Sequence, residues 1–165
     1  MYRPSVTAVT LITATILVGA GMRAVAAGSS PAIAAAQQSE TVATERATHE
    51  AVCSTCHEAN LVEGTFRMPE EWDDTLGRMK SFGAQGTEEQ FNQVRSFLLR
   101  KYGKAKINTA TAKDLSPVLD VPPALAEAVV AHRRDNGPFK SLDDLKKVPG
   151  LDAAQVDARK ARLMF

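Results

Sequence analysis

Apolar positions recur with a helical period through most of the chain beyond residue 69. Pro69-Glu70-Glu71 opens a segment with proline at the first helical position and acids in the first turn. Trp72, Leu76 and Met79 follow at i, i+4 and i+7, one face of a helix. The pattern predicts a helix to about Phe82, stopped at Gly83. The next helix begins from Thr87, which forms a capping box with Gln90. Phe91, Val94, Leu98 and Tyr102 make its stripe, and Gly103 is its stop signal.

Past Lys104 the chain repeats itself. With a shift of 30 residues and no gap, Thr111 falls on Ser141, Asp114 on Asp144, Leu115 on Leu145 and Val118 on Val148. Val121 then meets Leu151, and Ala124 meets Ala154. Each copy predicts the same unit. Thr111 or Ser141 caps a short helix, with Asp114 or Asp144 three residues on. Leu115 with Val118, or Leu145 with Val148, forms the buried face. A tight turn follows, Leu119 to Pro122 or Pro149 to Asp152, and a further helix starts near Pro123 or Ala153. Leu125, Val129 and His132 share a face of the first of these, and Asn136-Gly137-Pro138 ends it. His132 is expected to be partly buried there rather than to act as a ligand.

The N-terminus has another character. Arg3 precedes an uncharged apolar run from about Val6 to Ala20, and Ala24-Val25-Ala26 fits a cleavage site. The run is short of the ~20 apolar residues a membrane span needs. Residues 1–26 are therefore expected to be a cleaved signal peptide that sends the protein to the periplasm. Residues 27–44, rich in Ala, Ser and Gln, are expected to be a flexible leader.

Export changes the meaning of Cys53-Ser54-Thr55-Cys56-His57, which holds both cysteines of the chain. C-x-x-C-H is the attachment signature of c-type haem. Two thiols reach two vinyl groups on one porphyrin edge, and the adjoining imidazole reaches the iron. A thioredoxin-like dithiol needs a βαβ context, and none is visible. Structural zinc needs two more ligands, and the only other histidines are His49 and His132. One covalent haem c is the expected cofactor, with His57 as axial ligand. Met68 and Met79 are the candidates for the sixth position. His49 is expected at the surface.

The stretch from about Thr44 to Gly103 resembles the small mono-haem cytochrome c domains of periplasmic oxidoreductases. These include cytochrome subunits of sulfite dehydrogenase and quinohaemoprotein amine dehydrogenase. The resemblance rests on C-x-x-C-H followed by Arg67, Trp72, Leu76 and Met79. It implies that Met79 is the iron ligand, ahead of Met68, that Arg67 contacts a haem propionate, and that Trp72 packs on the haem. Residues Ile107 to Phe165 resemble the tandem helix-hairpin-helix, DNA-binding domain of ComEA-type competence proteins. The carriers of that likeness are Ile107-Asn108-Thr109-Ala110-Thr111-Ala112, Asn136-Gly137-Pro138-Phe139-Lys140-Ser141 and Val148-Pro149-Gly150. In that family Gly-aliphatic-Gly hairpins grip phosphate through backbone N–H groups. Here the first hairpin reads Asp120-Val121-Pro122 and the second Gly150-Leu151-Asp152. Proline has no N–H, and the aspartates repel phosphate.

The expected architecture is all-α, with a cytochrome domain over residues 45–103 and a helix-hairpin-helix domain over residues 104–165. Charge divides the same way: −3 from Glu45 to Gly103 and +3 from Lys104 to Phe165. Arg133, Arg134, Lys140, Lys146, Lys147, Arg159, Lys160 and Arg162 are the cations available for phosphate, but their interleaving with Asp143, Asp144 and Asp157 reads first as a solvated helix surface. Two functions fit. The first is a one-electron carrier, not an enzyme, whose helix-hairpin-helix module docks on a periplasmic redox partner. The alternative is a periplasmic DNA-binding, competence-like protein with a redox-sensing or structural haem.

Overall fold

The computed structural model describes residues 31–165. These residues are mostly helical. Among them, seven α-helices are joined by two 3-10 turns and one pair of two-residue strands: α1 Pro31–Cys53, α2 Pro69–Ser81, α3 Glu88–Tyr102, β1 Ala105–Lys106, α4 Ala112–Leu119, α5 Pro123–Asn136, α6 Leu142–Leu145, α7 Ala153–Arg159 and β2 Leu163–Met164. The signal peptide expected over residues 1–26 lies outside the described residues.

Helix α1 corrects the expectation of a flexible leader. From Pro31 the chain is already helical, because Ala, Gln and Glu are good helix formers, and α3 packs on the stretch from Glu45 to His49. Thr48 donates to Gln93 at 2.7 Å, and the buried Glu45 accepts from Arg100 at 2.9 Å. His49 is also corrected. It is 5% exposed and stacks on Phe97, ring centres 4.3 Å apart. An imidazole at a helical position facing an aromatic is covered by packing that sequence spacing does not display.

Local signals place the other boundaries. Pro69 and the two following acids open α2, and the Met68 N–H donates to Glu71 at 2.7 Å. Thr87 and Gln90 close a reciprocal capping box on α3. Gly83 takes φ +97 just past α2, the left-handed stop that glycine favours. Gly103 ends α3 for another reason. Its backbone is extended, but a Cβ there would strike the Leu99 carbonyl and lie 2.8 Å from the Val118 side chain.

The repeat folds as two helix-hairpin-helix units, α4–α5 and α6–α7. The Thr111 and Ser141 hydroxyls each accept from an N–H three residues on, at 3.2 Å in both copies. β1 and β2 pair in parallel, Ala105 opposite Leu163. One core runs through both halves, from Trp72, Val94 and Leu99 to Leu115, Val118, Leu145 and Val156. Charge division along the chain thus marks no break in the packing.

Candidate functional site

The cysteine motif sits where α1 ends. Cys53 is the last helical residue, half-buried, and Cys56 is exposed; both are free thiols. Burial pushes the Cys53 thiol up from its ordinary value, and the carbonyl end of a helix also disfavours thiolate. Among the described residues no three His, Cys, Asp or Glu side chains gather as a metal-binding group.

A cavity of about 160 Å³ opens beside the motif. It is lined by Val52, Cys53, Cys56 and His57, by Leu76, Met79 and Phe82 from α2 and its C-cap, and by Phe91 and Val94 from α3. Phe82 is 78% exposed at its mouth. Helix α2 therefore brings Met79 to the same cavity as His57. The His57 Nδ1 lies 3.0 Å from the Glu58 carbonyl oxygen, leaving Nε2 for another partner.

Other expected haem neighbours fall elsewhere. Trp72 is 1% exposed and absent from the cavity wall; its Nε1 donates to the Tyr102 carbonyl at 3.3 Å. Arg67 lies over the Trp72 ring at 5.2 Å and donates to Thr75 at 2.9 Å. Met68 stands at the N-cap of α2, away from the cavity.

His49, four residues before Cys53, has its imidazole held below the usual histidine range. Burial is the main cause; His57 adds to it and Glu50 opposes it. A depressed folded value favours the native state above the unfolded value near 6.5, and that contribution is lost as pH falls through the folded value. Melting temperature is thus expected to fall between pH 7 and pH 5, and His49→Phe is expected to flatten that slope. Parallel slopes would assign the acid loss to other groups.

At the other candidate site, the hairpins, the two copies differ. Asp120 takes φ +59, uncommon for a residue other than glycine. A network holds it there. Its carboxylate accepts from Arg100 and, at 2.9 Å, from Arg159; its carbonyl accepts from Gln155 and, at 2.7 Å, from Gln38 of α1. The Asp120 N–H donates to Pro117 and the Val121 N–H to Ser116. Pro122 and Pro123 have none to give. In the second hairpin Pro149, Gly150 and Asp152 are exposed, and Gly150 takes φ +90. Asp152 caps its own helix, accepting from the Ala154 N–H at 2.8 Å.

The cations divide likewise. Arg159 and Arg162 turn inward to the Val118 and Arg100 carbonyls, at 2.9–3.2 Å. Burial, with the neighbouring Arg159 charge, brings Arg162 down to about 10 despite Asp120. Arg133 binds the Ile107 and Ala110 carbonyls. These three arginines are therefore structural, a correction to their place among the available cations. Lys140, Lys147, Lys160 and Arg134 are exposed, and Lys146 is partly so. Arg134 pairs with Asp135, Lys147 with Asp144, and Lys146 with Asp143 and Asp157. His132 stacks on Phe139 at 5.2 Å with a buried, unpartnered Nδ1, as its apolar face implies.

Residues 101–164 match the helix-hairpin-helix motif model. ComE operon protein 1 of Bacillus subtilis (strain 168) is 44% identical over 45 residues, which are 27% of this chain and 22% of that protein. Endonuclease/exonuclease/phosphatase family domain-containing protein 1 of Rattus norvegicus is 39% identical over 54 residues, 33% of this chain and 10% of that protein; the Homo sapiens counterpart gives the same figures. The chain thus spans less than a quarter of the length of these curated relatives. No solved structure matches it. These matches make the C-terminal half helix-hairpin-helix and ComEA-like. They overturn the reading of the protein as a one-electron carrier with a protein-docking module and favour its competence-like alternative, since the matches fall on the helix-hairpin-helix half and include ComE operon protein 1.

Proposed function

We propose that this is an exported, competence-like protein that binds duplex DNA through its helix-hairpin-helix half. The observation that carries this is the match over residues 101–164, together with the likeness to ComE operon protein 1. The fold supports it by presenting an exposed hairpin around Gly150 with Lys140, Lys146 and Lys147 on the adjoining α6 region. Lys146 and Lys147 sit in surface ion pairs, which are weak and can be exchanged for phosphate. No helix among the described residues is long and apolar enough to cross a membrane.

The test is fluorescence anisotropy of a labelled random duplex with the full mature chain at about 25 and 150 mM salt. Binding at the lower concentration that weakens steeply at the higher is expected, because phosphate neutralisation releases counterions. No binding at the lower salt would overturn the reading.

The N-terminal half is proposed to carry one covalent haem as a structural core or redox sensor. The residues fit: two thiols and an imidazole border a largely apolar cavity that Met79 also lines. Cys53 and Cys56 would hold the group by thioether bonds, and His57 and Met79 would approach the iron. Bound haem supplies a redox couple tuned by its axial ligands. Leu76, Phe82, Phe91 and Val94 would keep water from its faces. Haem absorbance retained by the denatured protein, and lost in a Cys53→Ala/Cys56→Ala variant, is the expected result.

A further inference from the structure

We infer that only the second hairpin meets the duplex, and that the first has become the internal socket for the N-terminal module. This rests on the duplex-binding reading above.

A hairpin that grips phosphate must offer backbone N–H groups at an accessible turn. The first hairpin offers none between residues 120 and 123. Two of its N–H groups are bonded inside the turn, and two residues are prolines. Val121 is 3% exposed. The turn is also claimed from outside by Gln38 of α1, Arg100 of α3, and Gln155 and Arg159 of α7. Its one strong anionic group, Asp120, is answered by the protein's own arginines, so a phosphate there would compete with a built ion pair. The departure from glycine therefore has a structural purpose in the first copy: Asp120 receives the other half of the protein.

The second hairpin keeps Gly150 at positive φ and stays exposed. Near it, Asp144 accepts from the Lys147 Nζ at 2.8 Å and from the backbone N–H of Lys140 at 3.0 Å, while the Lys140 side chain is exposed. Lys146 lies on the neighbouring pair of acids, Asp143 and Asp157. With Asp143, Asp144, Asp152 and Asp157 close by, the surface binds duplex backbone weakly and without base selection.

One titration series on the full chain tests this. Three lysine–phosphate contacts predict that wild-type affinity falls about 40-fold between 50 and 200 mM salt, from a slope of ~0.9 per contact. Lys140→Glu/Lys147→Glu is expected to weaken binding at 50 mM salt by at least tenfold. Lys113→Glu, at an exposed residue of α4 that lines one cavity with Pro122 and Pro123, is expected to change it less than twofold. Hydrogen exchange with duplex added should protect residues 146–153 and leave 119–124 unchanged. Wild-type binding with equal losses in both variants, or protection of both hairpins, would overturn the one-sided contact while leaving duplex binding intact. Wild type that fails to bind at all removes both.

Discussion

Arg100→Ala is expected to lower the unfolding free energy by about 3–5 kcal/mol, the range for breaking a buried ion pair. Arg100 is 8% exposed and Glu45 5%. Burial opposes the guanidinium charge, but the hydrogen bond and charge of Glu45, aided by Asp120, raise Arg100 above its ordinary value. Truncation leaves Glu45 buried with no cation. Asp120 keeps Arg159, so the loss falls mainly on Glu45. Urea unfolding of wild type, Arg100→Ala and Arg100→Met/Glu45→Leu separates the contributions. The double replacement removes both charges and keeps apolar volume, so it should lose less than the single one. A loss below about 1 kcal/mol for Arg100→Ala would mean that water screens the pair as at a surface.

Gly103→Ala has the next largest expected effect, about 1–3 kcal/mol or more, through overpacking. The added Cβ would meet the Leu99 carbonyl and lie 2.7 Å from the Leu99 Cα and 2.8 Å from the Val118 Cγ2. Positive φ is not the cause, since Gly103 is extended. The position is tight because α3 hands directly into the strand pair while α4 packs across the junction. Thermal melting of Gly103→Ala with and without Val118→Ala checks it. Partial rescue by the second change is expected, because the Leu99 backbone cannot withdraw as a side chain can. A Gly103→Ala melting temperature equal to wild type would show that the junction relaxes.

Features encoded in short stretches of chain are legible in the residues alone. The caps at Thr87, Thr111 and Ser141 need only a hydroxyl and an N–H three residues on. The 30-residue repeat announces two hairpins, and Pro122 and Asp120 announce that the first departs from the phosphate-gripping pattern. What Asp120 does instead is not legible. Its partners lie at positions 38, 100, 155 and 159, and no local pattern pairs them. The inward turn of Arg159 and Arg162 escapes for the same reason: a basic residue on a short helix reads as solvated until the carbonyls it faces are known. His49 is hidden by a single aromatic on another helix. At the cysteine motif, spacing singles out Cys53, Cys56 and His57, the cytochrome resemblance adds Met79, and all four line one cavity. Trp72 and Arg67, which the resemblance implies as haem neighbours, lie in the joint between α2 and α3. Phe82 and Phe91 of the cavity wall are missed as site residues, though both stand in the helical pattern.

The small parallel pairing of β1 with β2 has a kinetic consequence. Ala105 and Leu163 stand 58 residues apart, and joining them closes a loop around both hairpins at an entropic cost of order 3–4 kcal/mol. The reward for that closure is the burial of Ala105, Ile107 and Leu163, available only when both ends are present. A chain emerging from its N-terminus can form α1 to α3 early, through neighbouring contacts. The β1–β2 pair, and the second hairpin that it encloses, have to wait for residue 163. During that interval the first hairpin can already be seated on Arg100 while the second remains unanchored, so the half that holds the module in place is finished before the half that would meet its ligand.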